Sequence, residues 1–128
     1  MSDDLKGKRV LVTAGGDGIG KAVALAFHGA GARVHICDVM AERLDAMKHA
    51  GIEGTLCDVG DAAQVDRLFD AAETGLGGLD ILVNNAGISG PTAAVEDVAV
   101  ADWDRTIAVD LNGQFYCARR AVPLIKAA

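Results

Sequence analysis

Residues 13–20 read TAGGDGIG, and four of these eight residues are glycine. They follow a short apolar run at residues 9–13 (RVLVT) that is typical of a buried strand, and they lead into a stretch with helical spacing at residues 18–30. Glycines allow a sharp turn and a close approach to a ligand. The start of a helix offers free N–H groups to an anion such as a pyrophosphate. The candidate binding residues of this turn are Gly15, Asp17, Gly18, Ile19 and Gly20.

Strand and helix patterns alternate along the chain. Further strands are predicted at residues 33–38 (RVHICD), 54–58 (GTLCD) and 79–84 (LDILVN), and further helices at residues 41–50, 61–75 and 102–126. This alternation is typical of a parallel sheet with helices on both faces. We predict a doubly wound, Rossmann-like α/β fold with strand order 3-2-1-4, which is incomplete at its C-terminal side. The whole of residues 1–128 is expected to form one dinucleotide-binding domain.

The composition excludes several classes of protein. Twelve Lys and Arg residues against eighteen Asp and Glu give a net charge of −6, which would repel a nucleic-acid backbone. Hydrophobic residues make up 51% of the chain, so it is not a disordered chain. Three scattered cysteines fit neither a disulfide framework nor a metal site. The charged start and the lack of a long uncharged apolar run favour a cytoplasmic protein without a membrane partner.

An acidic residue closes the second predicted strand. Asp38 lies 18 positions after Gly20, where a carboxylate can accept hydrogen bonds from the ribose hydroxyls of a dinucleotide. It would also repel a 2′-phosphate, and Asp17 adds a second negative charge, so the pattern favours NAD over NADP. Arg43 in the next helix could reach a phosphate, which keeps NADP open, and a plain helix cap is the other interpretation of Asp38. The neighbouring Val39 is a further candidate binding residue.

Two motifs resemble those of the short-chain dehydrogenase/reductase family. The turn at residues 13–20 is similar to the family's T-G-x-x-x-G-x-G pattern, with Ala14 in place of the first glycine. We expect the turn to survive this change unless that position needs a positive φ. The tetrapeptide NNAG at residues 84–87 stands directly after the fourth predicted strand, as it does in the family. The resemblance extends over essentially the whole chain.

The resemblance implies an oxidoreductase that moves a hydride between a nicotinamide cofactor and an alcohol or carbonyl substrate. It implies adenine contacts at Asp58 and Val59, and contacts on the nicotinamide side at Asn85, Ala86, Gly87 and Val109. NAD is the expected cofactor and NADP the less favoured one. A small-molecule substrate and a homo-oligomeric intact protein are further expectations from the family.

The family's catalytic residues are largely missing from these 128 residues. The family uses a Ser and a Y-x-x-x-K pair beyond the fifth helix, whereas the single tyrosine here, Tyr116, has Arg120 at the fourth position after it. Asp110 takes the place of the Asn in the family's V-N-L-x-G motif, and an ionised Asp accepts hydrogen bonds but cannot donate them. Asp110 is therefore the one candidate catalytic residue, and the 128-residue chain is expected to be inactive alone.

Two other classes of protein remain as alternatives. One is a non-catalytic nucleotide-binding module or subunit that needs a partner chain. The other is a Rossmann-type protein for a different nucleotide, such as a methyltransferase. The NNAG tetrapeptide after the fourth strand argues against the second alternative.

Overall fold

A four-stranded parallel sheet organises the part of the chain that the structure, a computed structural model, describes. This part is residues 3–128, so the first two residues of the charged N-terminal segment lie outside it. The strands are β1 (Arg9–Val12), β2 (Arg33–Asp38), β3 (Glu53–Leu56) and β4 (Ile81–Val83). They lie side by side in the order β3-β2-β1-β4. The predicted order 3-2-1-4 is therefore confirmed.

Helices cover both faces of this sheet. They are α1 (Gly18–Gly29), α2 (Ala41–His49), α3 (Ala62–Leu76), α4 (Val100–Ile107) and α5 (Gly113–Lys126), with a 3₁₀ turn at Val95–Asp97. Because successive side chains of a strand point to opposite faces, β1 supplies two separate cores. Leu11 packs in one cluster with Phe69 of α3, while Val10 and Val12 pack in the other with Met47 of α2. Within residues 3–128, no helix is both long and apolar enough to cross a bilayer.

The last predicted helix differs from the regular helix expected over residues 102–126. It begins earlier, at Val100, and a π-helical turn at Ala108–Asn112 separates α4 from α5. Just after this turn, Gly113 lies so close to the segment after β3 that an added Cβ would stand 2.8 Å from Val59 Cγ2. The wider turn lets Val109 be buried while the chain makes this approach. Counting apolar residues at a regular helical period cannot reveal one extra residue in a single turn.

An ion pair closes the sheet at the edge where β1 begins. Arg9 Nε lies 2.9 Å from Asp80 Oδ2, and the Arg9 backbone N–H donates to the same oxygen at 2.8 Å. The side-chain hydrogen bond from Arg9 lowers the pKa of Asp80 to about 2. The pair joins the start of β1 to the residue just before β4.

We expect Asp80→Asn to reduce stability at neutral pH, and this loss to shrink as the medium becomes acidic. A carboxylate whose pKa is lowered on folding stabilises the protein above its unfolded pKa of about 3.9, and this contribution is lost as the pH falls towards about 2. Urea unfolding of both proteins at several pH values between these limits and pH 7 measures the difference. The exposed Asp104→Asn serves as control. A difference that stays constant down to pH 2 would contradict the assignment.

Candidate cofactor-binding site

The glycine-rich loop between β1 and α1 is packed tightly against its neighbours. A Cβ added at Gly15 would stand 2.5 Å from Ile36 Cγ2 of β2. One added at Gly20 would meet the Ala14 carbonyl oxygen and stand 2.5 Å from Asn85 Nδ2. Glycine is therefore required at both positions by space. The loop leads into α1 at Gly18, whose first turn has backbone N–H groups without partners inside the helix.

The two larger side chains of this loop point outwards. The Asp17 side chain is 67% exposed and Ile19 is 77% exposed. Asp17 is the N-cap residue of α1, although its side chain makes no capping hydrogen bond. The structure thus places Gly15, Asp17, Gly18, Ile19 and Gly20 together in one loop, with its polar backbone at the carboxyl end of β1.

The Ala14 position needs a positive φ, which is the condition under which the sequence analysis expected difficulty. Its φ is +51°, in the left-handed region that favours glycine. Ala14 is the only non-glycine residue of the described chain with such an angle. The turn forms nonetheless, since its carbonyl groups are tied to Asn85: Asn85 Nδ2 donates to the oxygen of Thr13 at 3.1 Å and to that of Ala14 at 3.5 Å.

We expect Ala14→Gly to raise the free energy of unfolding by about 1 kcal/mol. A left-handed conformation costs a residue with a Cβ about 1–2 kcal/mol, and the greater freedom of glycine in the unfolded chain offsets part of the gain. Chemical denaturation of the two proteins measures the difference. Ala71→Gly in the interior of α3 is the matched control and should destabilise instead. A loss of stability in Ala14→Gly would show that this turn is not strained.

Asp38 closes β2 with a carboxylate that is almost fully buried. The residue is 4% exposed. Its Oδ2 accepts a hydrogen bond from the Gly16 backbone N–H at 3.2 Å, and its Oδ1 accepts one from Met40 N–H at 3.1 Å. Met40 precedes α2 and no side chain caps that helix, so the interpretation of Asp38 as a plain helix cap is wrong. The carboxylate instead joins β2 to the glycine-rich loop.

Arg43 lies between two carboxylates beside this loop. Its Nη1 is 3.6 Å from Asp38 Oδ1 and its Nη2 is 3.4 Å from Asp17 Oδ2. The sequence had pointed to Arg43 as the cation that could reach a phosphate. The structure places it next to Asp38, where two negative charges face its single positive one.

A cavity of about 180 Å³ opens at the carboxyl ends of the strands. It is smaller than the pockets of about 300–1,000 Å³ that enclose drug-sized ligands, so it has room for one portion of an extended molecule. Seven of the predicted binding residues line it: Asp38, Val39, Asp58, Val59, Ala86, Gly87 and Val109. Six further residues line it that were not among the predicted binding residues: Ala14, Cys37, Arg43, Cys57, Ile88 and Arg105.

The two cavity cysteines are buried, free thiols. The hydrogen bond with Cys37, together with burial, raises the pKa of Cys57 far above its ordinary value. A raised pKa leaves little of the reactive thiolate at neutral pH, so both side chains serve as small apolar wall groups. In residues 3–128 no set of three or more His, Cys, Asp or Glu side chains is arranged to hold a metal ion.

The NNAG tetrapeptide works as a brace between β4, β1 and α5. Backbone N–H groups of Asn85 and Ala86 both donate to Thr13 Oγ1 at 2.9 Å. Asn84 Nδ2 donates to the Gln114 carbonyl at 3.0 Å, and Gln114 Nε2 returns a bond to the Ala86 carbonyl at 2.8 Å. Asn85 therefore lies behind the cavity lining, and it fixes the backbone of the residues that form the lining.

Asp110 and Tyr116 lie away from the cavity lining. Asp110 belongs to the π-helical turn, and its Oδ1 accepts a hydrogen bond from Ile88 N–H at 2.7 Å. It thereby holds the segment that follows the tetrapeptide. Tyr116 packs against the buried core beside α3, in agreement with its interpretation as a packing residue.

The strand order, the glycine-rich loop at a helix start and the acid closing β2 together define a Rossmann-type nucleotide-binding fold. Comparison with protein-family models gives the family: the short chain dehydrogenase model matches residues 8–128. The chain belongs to the short-chain dehydrogenase family, and its resemblance to that family is confirmed.

Individual relatives agree with this assignment. The chain is 40% identical over 117 residues to the D-threitol dehydrogenase of Mycolicibacterium smegmatis, covering 87% of this chain and 45% of that one. It superposes with a TM-score of 0.92 at 31% identity on the 3-ketoacyl-(acyl-carrier-protein) reductase of Brucella melitensis complexed with NADH, covering 97% and 52% of the two chains. A short chain dehydrogenase of Burkholderia cenocepacia in complex with NADP gives 0.85 at 34% identity, covering 94% and 52%. The chain spans about half the length of the curated relatives it matches.

Proposed function

We propose that residues 1–128 are the cofactor-binding half of an NAD-dependent oxidoreductase. The observation that carries this proposal is the buried Asp38 carboxylate, held by the Gly16 N–H at the edge of the cavity. A carboxylate fixed at the end of β2 is suited to accept hydrogen bonds from the two ribose hydroxyls of an adenosine. Family membership supports the oxidoreductase class, because the family acts on alcohol and carbonyl groups of small molecules.

The remaining parts of the cofactor would follow the edge of the sheet. The first turn of α1, at Gly18 and Ile19, would hold the pyrophosphate through its N–H groups. Asp58 and Val59 would contact the adenine, while Ala86, Gly87 and Val109 would lie towards the nicotinamide side. Asn85 would keep that wall in place through its bonds to β1. When bound, the nicotinamide supplies the site that accepts or donates the hydride.

Charge favours NAD over NADP. A 2′-phosphate would approach the ribose site, where the carboxylates of Asp38 and Asp17 lie on either side of Arg43. One guanidinium already shared by two carboxylates leaves this corner with net negative charge, which opposes a phosphate. The relatives include complexes with NADH and with NADP, so the preference rests on these three side chains.

Catalysis would need residues outside this chain segment. The family's Ser and Y-x-x-x-K pair have no counterpart in residues 1–128, so we propose that the segment alone binds cofactor without turnover. Asp110, in the family's Asn position, would act through the Ile88 backbone that it holds. In the intact protein we propose a small-molecule alcohol or carbonyl substrate, a homo-oligomer and a cytoplasmic location.

The alternative is a non-catalytic nucleotide-binding module, which the replacement of the family's Asn by Asp110 favours. The mass of the natural protein separates the two. A mass near twice 13.1 kDa supports an enzyme with a second half, whereas a natural chain of 13.1 kDa supports the module.

The cofactor proposal is tested by binding alone. Titration of the protein with NADH and with NADPH, followed by the fluorescence of the reduced nicotinamide, should give the smaller dissociation constant for NADH. Equal or tighter binding of NADPH would overturn the preference for NAD. A protein that is folded by circular dichroism and binds neither nucleotide would overturn the proposed function.

A further inference from the structure

An arginine from the far end of the described chain reaches the base end of the cavity. Arg105 belongs to α4, and its Nη1 lies 2.7 Å from Asp58 Oδ2, in the segment after β3. Both residues line the cavity. Their side chains are partly exposed, 47% for Arg105 and 29% for Asp58. At this exposure an ion pair contributes little to stability, so its geometry is the more informative property.

Both oxygens of the Asp58 carboxylate are held in place. Oδ1 accepts a hydrogen bond from the Gly60 backbone N–H at 2.9 Å, while Oδ2 accepts the one from Arg105. The Asp58 backbone N–H in turn donates to Gln64 Oε1 at 2.8 Å. Gly60 lies against the pair, because a Cβ added there would stand 3.2 Å from both Arg105 Nη1 and Asp58 Oδ1. The carboxylate is therefore fixed at two points rather than free to rotate.

A carboxylate held in this way still has acceptor capacity. Each of its oxygens has two lone pairs, and the hydrogen bonds described above occupy one on each. The free lone pairs can accept from an amino group on a ligand in the cavity. They cannot donate, so a carbonyl oxygen at the same place would meet an uncompensated negative charge.

We infer that Arg105 is a positioning residue for the base of the cofactor, which fixes Asp58 so that the site prefers a 6-aminopurine over a 6-oxopurine. This inference rests on the proposed function, since it concerns the adenine end of the same nucleotide. Arg105 acts through Asp58 and is not itself a catalytic residue. Its removal should leave the cofactor bound but weaken the discrimination between the two bases.

The test compares two dinucleotides that differ only at the base: NADH and reduced nicotinamide hypoxanthine dinucleotide. The ratio of their dissociation constants measures the preference for adenine. We expect the wild-type protein to prefer adenine by about ten-fold, as is typical for one hydrogen bond to a charged acceptor. Arg105→Met should bring the ratio to within about two- or three-fold of unity because Asp58 is released on one side. Arg105→Lys should be intermediate, because it keeps the charge without the rigid fork.

Arg119→Met is the matched control. Arg119 is 54% exposed and pairs with Asp66 at 3.7 Å, outside the cavity, so its loss should leave the ratio unchanged. Asp58→Asn should abolish the preference and sets the lower limit. If Arg105→Met and Arg105→Lys weaken both nucleotides equally or keep the wild-type ratio, the inference is wrong. If the folded wild-type protein binds neither nucleotide, the proposed function fails first and the inference with it.

Discussion

Asp38→Asn should weaken NADH binding by about 10- to 100-fold, the loss expected when one or two hydrogen bonds to a charged acceptor are replaced by neutral ones. The change keeps the shape of the side chain and removes its negative charge. Because Arg43 then loses one of its two carboxylate neighbours, it becomes available to a 2′-phosphate. NADPH should therefore bind the variant more tightly than it binds the wild-type protein.

Titration of the variant with both reduced nucleotides measures the two effects together. Asp45→Asn, an exposed change in the same helix as Arg43, is the control and should alter neither dissociation constant. An NADH affinity that survives Asp38→Asn would remove the ribose contact from the proposed site. A gain in NADPH affinity that persists in the double variant Asp38→Asn/Arg43→Met would show that Arg43 is not the group that receives the phosphate.

Gly20→Ala is expected to destabilise the protein by about 2–3 kcal/mol, in the range for overpacking a tight interior site. The new methyl group would press on the Ala14 carbonyl and on Asn85 Nδ2. These groups join the glycine-rich loop to the NNAG tetrapeptide through the bonds from Asn85 to Thr13 and Ala14. The displaced loop should also bind NADH at least ten-fold less tightly, since small misplacements at a binding site are costly.

Gly29→Ala provides the matched control within the same helix. A Cβ at Gly29 would have nothing within 4 Å, and alanine is the better helix former. Urea denaturation should therefore show an unchanged or slightly higher stability for Gly29→Ala and a clear loss for Gly20→Ala. If the two variants unfold at the same urea concentration, the close contact at Gly20 is not a constraint on the fold.

The sequence predicted the fold well because each element carried a local signal. The run RVHICD predicted β2 to its last residue, and the glycine-rich turn marked the junction of β1 and α1. The weaker signals were less exact: the third strand was expected at residues 54–58 and lies at Glu53–Leu56, and β4 covers only part of residues 79–84. Short strands at a sheet edge have few apolar residues to mark their ends.

The side chains of the candidate site were harder to predict, since their contacts join distant parts of the chain. Arg105 and Asp58 are 47 positions apart, and no local pattern shows that they meet. The contact of Arg43 with Asp38 depends on how α2 lies against the end of β2. The positive φ of Ala14 is a property of the backbone that a motif suggests only through the glycine it lacks. Geometry of this kind becomes visible only in the folded chain.

The π-helical turn at Ala108–Asn112 has a consequence for how this segment can vary. Each residue added to or removed from a helix rotates everything after it by about 100°. Val109 before the rotation is buried towards the cavity, whereas Cys117 and Ala121 after it pack in the core beside α3. Shortening the turn by one residue would keep one of these faces and turn the other to solvent. Substitutions within these five residues are therefore better tolerated than insertions or deletions, and chain length itself is a conserved requirement of the architecture.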